Sequence, residues 1–435
     1  MLEHGNDGST VRGAGFWGLL LTATILGVVG AVSGIVFLAI SGLGEEWYGE
    51  TGNGWFDGHW WWIAVSVSAG VIVVVLRRWL AMPDKTPGLI EDLRSEHIDI
   101  AMVPKVVAVS AVSLIGGASI GPEVALGQLG GGAGGYIAER RGLDAATAKE
   151  NTLSGMGGAF GGLFSSPFMA TALIMEVAAP PRERYGTTFY ATVVSSTISF
   201  AIYFAIIGSV LFGALEVTPY DYENWHILAG AGLGLLSAVV VHTYVAVNGL
   251  LERALSISGI PSRLLPICGG LVFGFVGVML PLTNFTGTEQ LNTVLDDGSE
   301  LGVGLLIATL IGKMVTFAVS TATGFIGGPI FPILFLGGTT GVIVHVIFPD
   351  VPLALRFTCM LAAVPGSMIS APFSMVLLAV ILTQVGPLQT APILIAVATS
   401  FLAYEGVKGI VPIGRATPTA DAPPPVGPPG TNDPN

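Results

Sequence analysis

Two stretches of this sequence have residue types and a spacing that could do chemistry: Gly117-Ala-Ser-Ile-Gly121-Pro122-Glu123 and Gly324-Phe-Ile-Gly-Gly328-Pro329-Ile330. In each, Gly-x-x-x-Gly-Pro lets the backbone turn tightly and then start a helix. Proline suits the first helical position, where its missing N–H costs nothing. Glycines leave the amides uncovered, so a ligand can come close. A helix N-terminus carries unpaired N–H groups and roughly half a positive charge. Two such termini aimed at one point make an anion site without any full cationic charge. An ion held by partial charges can also leave, as conduction requires. The alternative reading is close helix packing of the small-xxx-small kind.

The two stretches are copies. A shift of 207 positions carries Gly117, Gly121 and Pro122 onto Gly324, Gly328 and Pro329, and Gly130, Gly131 and Gly134 onto Gly337, Gly338 and Gly341. Ser166-Pro167-Phe168 meets Ala371-Pro372-Phe373 at a shift of 205. One such match would mean little in a chain with 61 glycines, but six at one offset imply two related halves, about 60–210 and 265–412. In two-half transporters the site lies where the halves meet.

The elements that position these turns are membrane helices. Hydrophobic residues make up 52% of the 435 and charged residues only 11%, against roughly 25% charged in soluble domains. The runs Gly15 to Leu43, Trp60 to Leu80, Phe189 to Leu211 and Ile227 to Val247 are long enough to cross a hydrocarbon core. Leu264 to Leu282, Leu301 to Val319, Pro332 to Phe348 and Ala391 to Tyr404 follow. Shorter runs broken by Gly and Pro suit partial or re-entrant helices buried inside protein. The first run is too long for the apolar part of a signal peptide. Arg12 before it, and Arg77, Arg78 and Lys85 after the second run, predict a cytoplasmic N-terminus. The loop around Asp57 and His59 lacks Lys and Arg and ends in Trp60, Trp61 and Trp62, an expected interfacial cluster. The net charge of −12 argues against nucleic acid as a partner. Cys268 and Cys359 form no disulfide framework, and the scattered histidines offer no metal spacing, so neither metal nor cofactor is expected. The predicted organisation is a cytoplasmic tail over 1–14, a membrane region over 15–412 and a disordered Pro-rich tail over 413–435.

These motifs resemble the CLC chloride channel and transporter family, most of all a divergent bacterial subgroup of ion-transport proteins with an SIGPE turn. Ala118-Ser119-Ile120-Gly121-Pro122 stands for the family's G-R-E-G-P turn, and Gly328-Pro329-Ile330-Phe331-Pro332 for its G-x-F-x-P turn. Lys313 with Thr316 is similar to the family's Lys/Thr helix. Phe164 to Ala170, through Glu176, is similar to its N-A-P-L-A-G helix, and Ser370 to Phe373 to the partner of that helix. The resemblance implies an all-α polytopic fold of two inverted halves with broken helices, in a multi-pass protein of the cell's inner membrane. It implies a homodimer with one anion pathway per subunit, in which residues 168–177, 189–207, 372–382 and 391–401 meet their symmetry mates. It also implies that the anion site is built from Ala118, Ser119, Ile120, Gly121, Ile330 and Phe331, with the amides of Ile120, Gly121, Ile330 and Phe331 facing the ion.

The departures from the family pattern bear on mechanism. The family's gating Glu is Ile120 here, and its inner proton-relaying Glu is Val177. The turn carrying its central Ser falls on Pro83-Asp84-Lys85-Thr86-Pro87 and keeps only the final Pro. The pore-lining Tyr falls on Pro412. Glu123 then has two readings: a first-turn carboxylate stabilised by the helix dipole, or a gate displaced three places along. Lys85 either attracts anions at the inner mouth or is a loop lysine, with Asp84 as its partner. Glu176 and Lys313 lie in apolar helices. An ionisable residue there is a functional candidate by default; for Glu176 the family implies instead a structural role, bonding backbone amides, and Lys313 is expected to neutralise a buried carboxylate or cap carbonyls.

Three functions compete. The first is passive, channel-like transport of small inorganic anions such as chloride across the bilayer. The second is proton-coupled antiport using Glu123. The third belongs to another class, a structural module or membrane-embedded enzyme without transport, whose nucleophiles would be Ser154 or Ser166 beside His242 or His345. Catalysis is not expected.

Overall fold

The computed structural model describes residues 13–50 and 59–410. Most of the expected 1–14 tail, Asp57, Pro412 and the 413–435 tail lie outside the described residues. Among those described, the chain is all-helical. The first half contains α1 (Gly13–Glu50), α2 (Trp62–Trp79), α3 (Leu89–Ser95), α4 (Val103–Ile115), α5 (Glu123–Arg141), α6 (Ala145–Leu163), α7 (Pro167–Ala178) and α8 (Arg182–Ile206). The second contains α9 (His226–Ile257), α10 (Leu265–Met279), α11 (Thr288–Ala322), α12 (Ile330–Ile347), α13 (Leu353–Met368), α14 (Pro372–Thr383) and α15 (Thr390–Ile410). α11 is two helices joined at Gly302, where φ is 74°.

Eight of these helices are long and apolar enough to span a membrane. They differ in how deeply they are packed. In α2, 28% of the apolar window is buried, and in α12, 78%. α2 and α10 present exposed faces of Val71, Ile72, Val75, Leu271, Val272 and Phe275, as lipid-facing helices do. The first part of α5 and the second part of α6 are interior, and the two helices approach so closely that a Cβ on Gly130 would run into the Gly155 backbone. Packing replaces the hydrophobic effect as the driving force between helices in lipid, so small residues mark the tightest contacts.

The repeat governs the packing. α5 packs on α6 as α12 does on α13, and α6 on α8 as α13 does on α15. α1 packs on α6 and α8 as α9 does on α13 and α15. This correspondence includes α1 and α9, which begin before the limits at 60 and 265 drawn from sequence identities. Backbone conformation repeats as well. Left-handed residues pair as Gly117 with Gly324 (φ 84° and 95°), Ser165 with Ser370 (51° and 59°) and Ala179 with Gln384 (44° and 55°). The tryptophan cluster is divided. Trp60 and Trp61 are exposed, whereas Trp62 is fully buried and its ring lies 4.8 Å from that of Tyr48.

Candidate functional site

α5 opens after Pro122 and α12 opens after Pro329, so each repeated turn delivers a helix N-terminus. The two turns meet. Gly121 N donates to Gly328 O at 2.7 Å, and Gly328 N donates to Gly121 O at 2.6 Å. Two further bonds obey the same symmetry. Ile326 N donates to Ser113 Oγ and Ser119 N donates to Ser320 Oγ, each at 3.2 Å. All three pairs are related by the 207-residue shift, so a pseudo-twofold axis passes between Gly121 and Gly328. Sequence reasoning missed Ser113 and Ser320. Their identity at the same offset was the available signal.

Glu123 breaks the symmetry. Its counterpart is Ile330, and both are fully buried. The Glu123 carboxylate lies across the axis at the start of α12, where the amides of Ile330 and Phe331 turn toward it. Phe331 N donates to Oε1 at 3.1 Å, while Oε2 is buried without a hydrogen-bond partner among the described residues. A Cβ on Gly121 or on Gly328 would collide with this carboxylate. Glycine is therefore needed at both positions to make room for it, in addition to forming the turns.

The amides named from the sequence are thus engaged. Ile120 N donates to Ala118 O at 2.9 Å, Gly121 N to Gly328, and Phe331 N to Glu123. The Ala118, Ser119 and Ile120 side chains are fully buried, with Ile120 against Gly327. Phe331 stacks on Phe164 at 6.3 Å.

The other charges stand apart from this centre. Lys313 Nζ caps the carbonyls of Thr283, Asn284 and Phe285 at 3.3, 3.2 and 2.8 Å and lies over the Phe335 ring. Glu176, on α7, accepts from the amides of Phe373 and Ser374 at 2.8 Å each, and from the Ser374 hydroxyl. It is a second first-half carboxylate seated on a second-half helix N-terminus. Asp84 and Lys85 are both exposed, and no ion pair joins them among the described residues. The backbone of that loop is held by Arg77, whose Nη2 donates to Pro83 O and Asp84 O. The nucleophiles of the enzyme reading are occupied: Ser154 Oγ donates to Ala191 O, and Ser166 Oγ accepts from Met169 N. His242 Nδ1 lies 2.7 Å from Ala238 O on its own helix.

Two cavities approach the paired turns. One of about 490 Å³ is lined by Pro122 and Phe331 together with Glu45 and Glu289. The other, about 640 Å³, is lined by Gly324, Arg77, Arg78 and Arg263. Glu45 lies near the end of α1 that packs Tyr48 against Trp62, at the start of α2. Arg77 lies near the end of α2. At 1.5 Å per residue the two mouths are separated by roughly 20 Å along that helix.

Residues 69–405 match the family model described as voltage gated chloride channel. The chain belongs to the CLC family. Its function is accordingly ion transport, since members of that family are transporters or channels. Among its relatives, "Putative ion-transport protein YfeO" of Salmonella choleraesuis (strain SC-B67) is 24% identical over 351 residues, 78% of this chain and 84% of that protein. The protein of the same name from Salmonella paratyphi A (strain ATCC 9150 / SARB42) is 23% identical over 310 residues, 70% and 74% of the two chains. Two solved structures share the fold at 18% identity. A slow cyanobacterial Cl⁻/H⁺ antiporter has a TM-score of 0.77 and covers 90% of this chain and 95% of its own. A CLC-type fluoride/proton antiporter has a TM-score of 0.73 and covers 90% and 96%.

Proposed function

We propose that this CLC protein passes small inorganic anions such as chloride passively, along a path that the Glu123 carboxylate closes at rest. The observation that carries this reading is the seat of Glu123. A carboxylate on the N-terminal amides of α12 occupies the place where those amides and the helix dipole would hold a permeating anion. An anion enters by displacing it. Protonation weakens its hold, because a neutral carboxyl loses the attraction to the dipole. Passive flow is favoured over coupling because the two places where the family keeps proton-carrying glutamates hold Ile120 and Val177, both buried aliphatics. Neither can carry a proton.

The second reading is proton-coupled antiport with Glu123 as the displaced gate. It is favoured by the buried Oε2, which has no hydrogen-bond partner among the described residues and is free to accept a proton. Proton uptake driven by a chloride gradient in reconstituted liposomes separates the two. Chloride flux without stoichiometric proton movement is expected. Uptake at a fixed ratio that disappears in Glu123→Gln would establish antiport instead.

The dimer belongs to the same proposal. Phe168, Phe189, Tyr190, Phe204, Phe373 and Leu394, on α7, α8, α14 and α15, form an exposed apolar face, which a second copy of the chain would cover. The proposal extends to a protein of the inner membrane with its N-terminus cytoplasmic, an orientation supported by the placement of Lys and Arg along the sequence. Arg77, Arg78 and Lys85 then fall on the cytoplasmic side, in keeping with the positive-inside bias.

A further inference from the structure

The 640 Å³ cavity at the end of α2 joins arginines to an apolar wall, and anion permeation accounts only for the arginines. Three arginines line it, Arg77, Arg78 and Arg263, against one carboxylate, Asp84. Arg77 is committed to structure. Its Nη1 donates to Gly324 O at 3.1 Å and its Nη2 to Pro83 O and Asp84 O at 2.6 and 2.9 Å. Arg78 and Arg263 are exposed and make no hydrogen bond or ion pair among the described residues. They come from separate elements, the end of α2 and the 3₁₀ turn Ser262–Leu264 before α10, yet line one cavity. Guanidinium groups converging in this way suit a phosphate, which each can bind through two parallel N–H groups.

The surroundings identify the kind of phosphate. The rest of the wall includes Val74, Met82, Leu264 and Leu265. The cavity sits where the exposed apolar faces of α2 and α10 end, and Trp79, 79% exposed, follows Arg78 directly. An exposed tryptophan at the end of a spanning helix marks headgroup depth. A ligand here would have its phosphate among arginines and its apolar part along α2 and α10. A permeating inorganic ion needs only the first of these features.

We propose that the cavity is a binding site for the headgroup of an anionic phospholipid, held by Arg78 and Arg263 beside the fixed Arg77. Basic pockets at the ends of membrane helices are suited to such headgroups. The site touches the transport machinery at one point. Arg77 ties the loop at Pro83 and Asp84 to Gly324, the first residue of the turn that leads to Gly328. A lipid phosphate in the cavity therefore adjoins the strut between loop and turn.

The test is native mass spectrometry of the purified full-length protein titrated with phosphatidylglycerol or phosphatidylcholine. The wild type is expected to retain the anionic lipid at least tenfold better. Arg78→Gln with Arg263→Gln should remove that preference, and Arg78→Lys with Arg263→Lys should keep most of it, which separates lost charge from lost fold. Equal retention of the two lipids by the wild type, or an unchanged preference in the double Gln variant, overturns the site. Inorganic phosphate provides the other arm. If it competes at the same concentration as the lipid, the site takes free phosphate and the lipid assignment fails.

Discussion

Glu123 and Ile330 occupy equivalent places in the two halves of the repeat, 207 positions apart, and only Glu123 bears a charge. Around them the halves are matched bond for bond: Gly121 with Gly328, Ser113 with Ser320, Ser119 with Ile326. At the paired turns the cross-links are symmetric and the charge is not: Glu123 is the carboxylate there, as Glu176 is at the start of α14. A carboxylate fully buried by the fold carries a desolvation cost. The amides at the start of α12 offset part of it.

Replacing that carboxylate tests its role. Glu123→Gln keeps an acceptor for Phe331 N and removes the charge. Anion flux in liposomes is expected to rise several-fold and to lose its dependence on acid. In the parent, flux should increase as pH falls, because protonation neutralises the blocking group. Stability should stay within about 2 kcal/mol of the parent. A variant that unfolds readily and passes no more anion than the parent would make Glu123 a structural pin.

Gly328→Ala addresses the same group from the other side. The added Cβ meets the Glu123 carboxylate and cannot be accommodated without moving it. A loss of about 1–3 kcal/mol is expected, as for other overpacked interiors. It should be smaller in a Glu123→Ala background, where the carboxylate is gone and only the Cβ contact at 2.9 Å remains. Thermal unfolding of the four proteins of this cycle measures the coupling, and additive losses would mean the two residues do not interact.

Ser113→Ala and Ser320→Ala remove the acceptors of the buried amides of Ile326 and Ser119. Each amide then lacks its partner, at a cost of about 1–3 kcal/mol. The two losses should be alike, because the bonds are related by the repeat. Equilibrium unfolding in a denaturant reads both, and a large inequality would show that the halves bear load differently.

Much of this arrangement was legible in the sequence, for identifiable reasons. Gly and Pro at the two turns are dictated by backbone geometry, so their identities survive in both halves and reveal the repeat. Apolar runs disclose the spans because lipid demands them. The serine cross-links were not legible. A serine hydroxyl finds its partner only in the folded chain, and single serines repeat by chance. The left-handed pairs Ser165 with Ser370 and Ala179 with Gln384 were hidden for another reason, since non-glycine residues at positive φ carry no sequence mark. The seat of Glu123 was half legible. Its place in the first turn named the dipole of α5, its own helix, and the fold shares the carboxylate between its own amide there and the amides that open α12. The expectation that Gly121 offers a free amide to an anion gave no weight to the paired turns, in which that amide bonds Gly328.

The proposed dimer face makes a separate prediction. Phe168 and Phe373 are 72% and 66% exposed at the starts of α7 and α14. Phe168→Cys or Phe373→Cys should crosslink between subunits in membranes with a short bis-maleimide. Val75→Cys, on the α2 face assigned to lipid, should not. Crosslinking at Val75 alone would move the interface to the other side of the molecule.

The symmetry permits a stricter test of the gate. If Glu123 acts simply as a carboxylate at a helix N-terminus, the fold offers it a second seat. The 207-residue shift carries Phe331 onto Val124, so a carboxylate at 330 would face the start of α5 as Glu123 faces the start of α12. Glu123→Ile alone should leave the path open and its flux independent of pH. Adding Ile330→Glu to that variant should close the path again at neutral pH and restore relief by acid, with the polarity of the block reversed between the two halves. Flux from oriented liposomes, with acid applied to one side at a time, measures this directly. Closure restored by Ile330→Glu would mean that the charge and the helix terminus suffice. Flux that stays high and insensitive to pH in a folded double variant would mean that closure depends on the particular fit of Glu123 against Gly121 and Gly328.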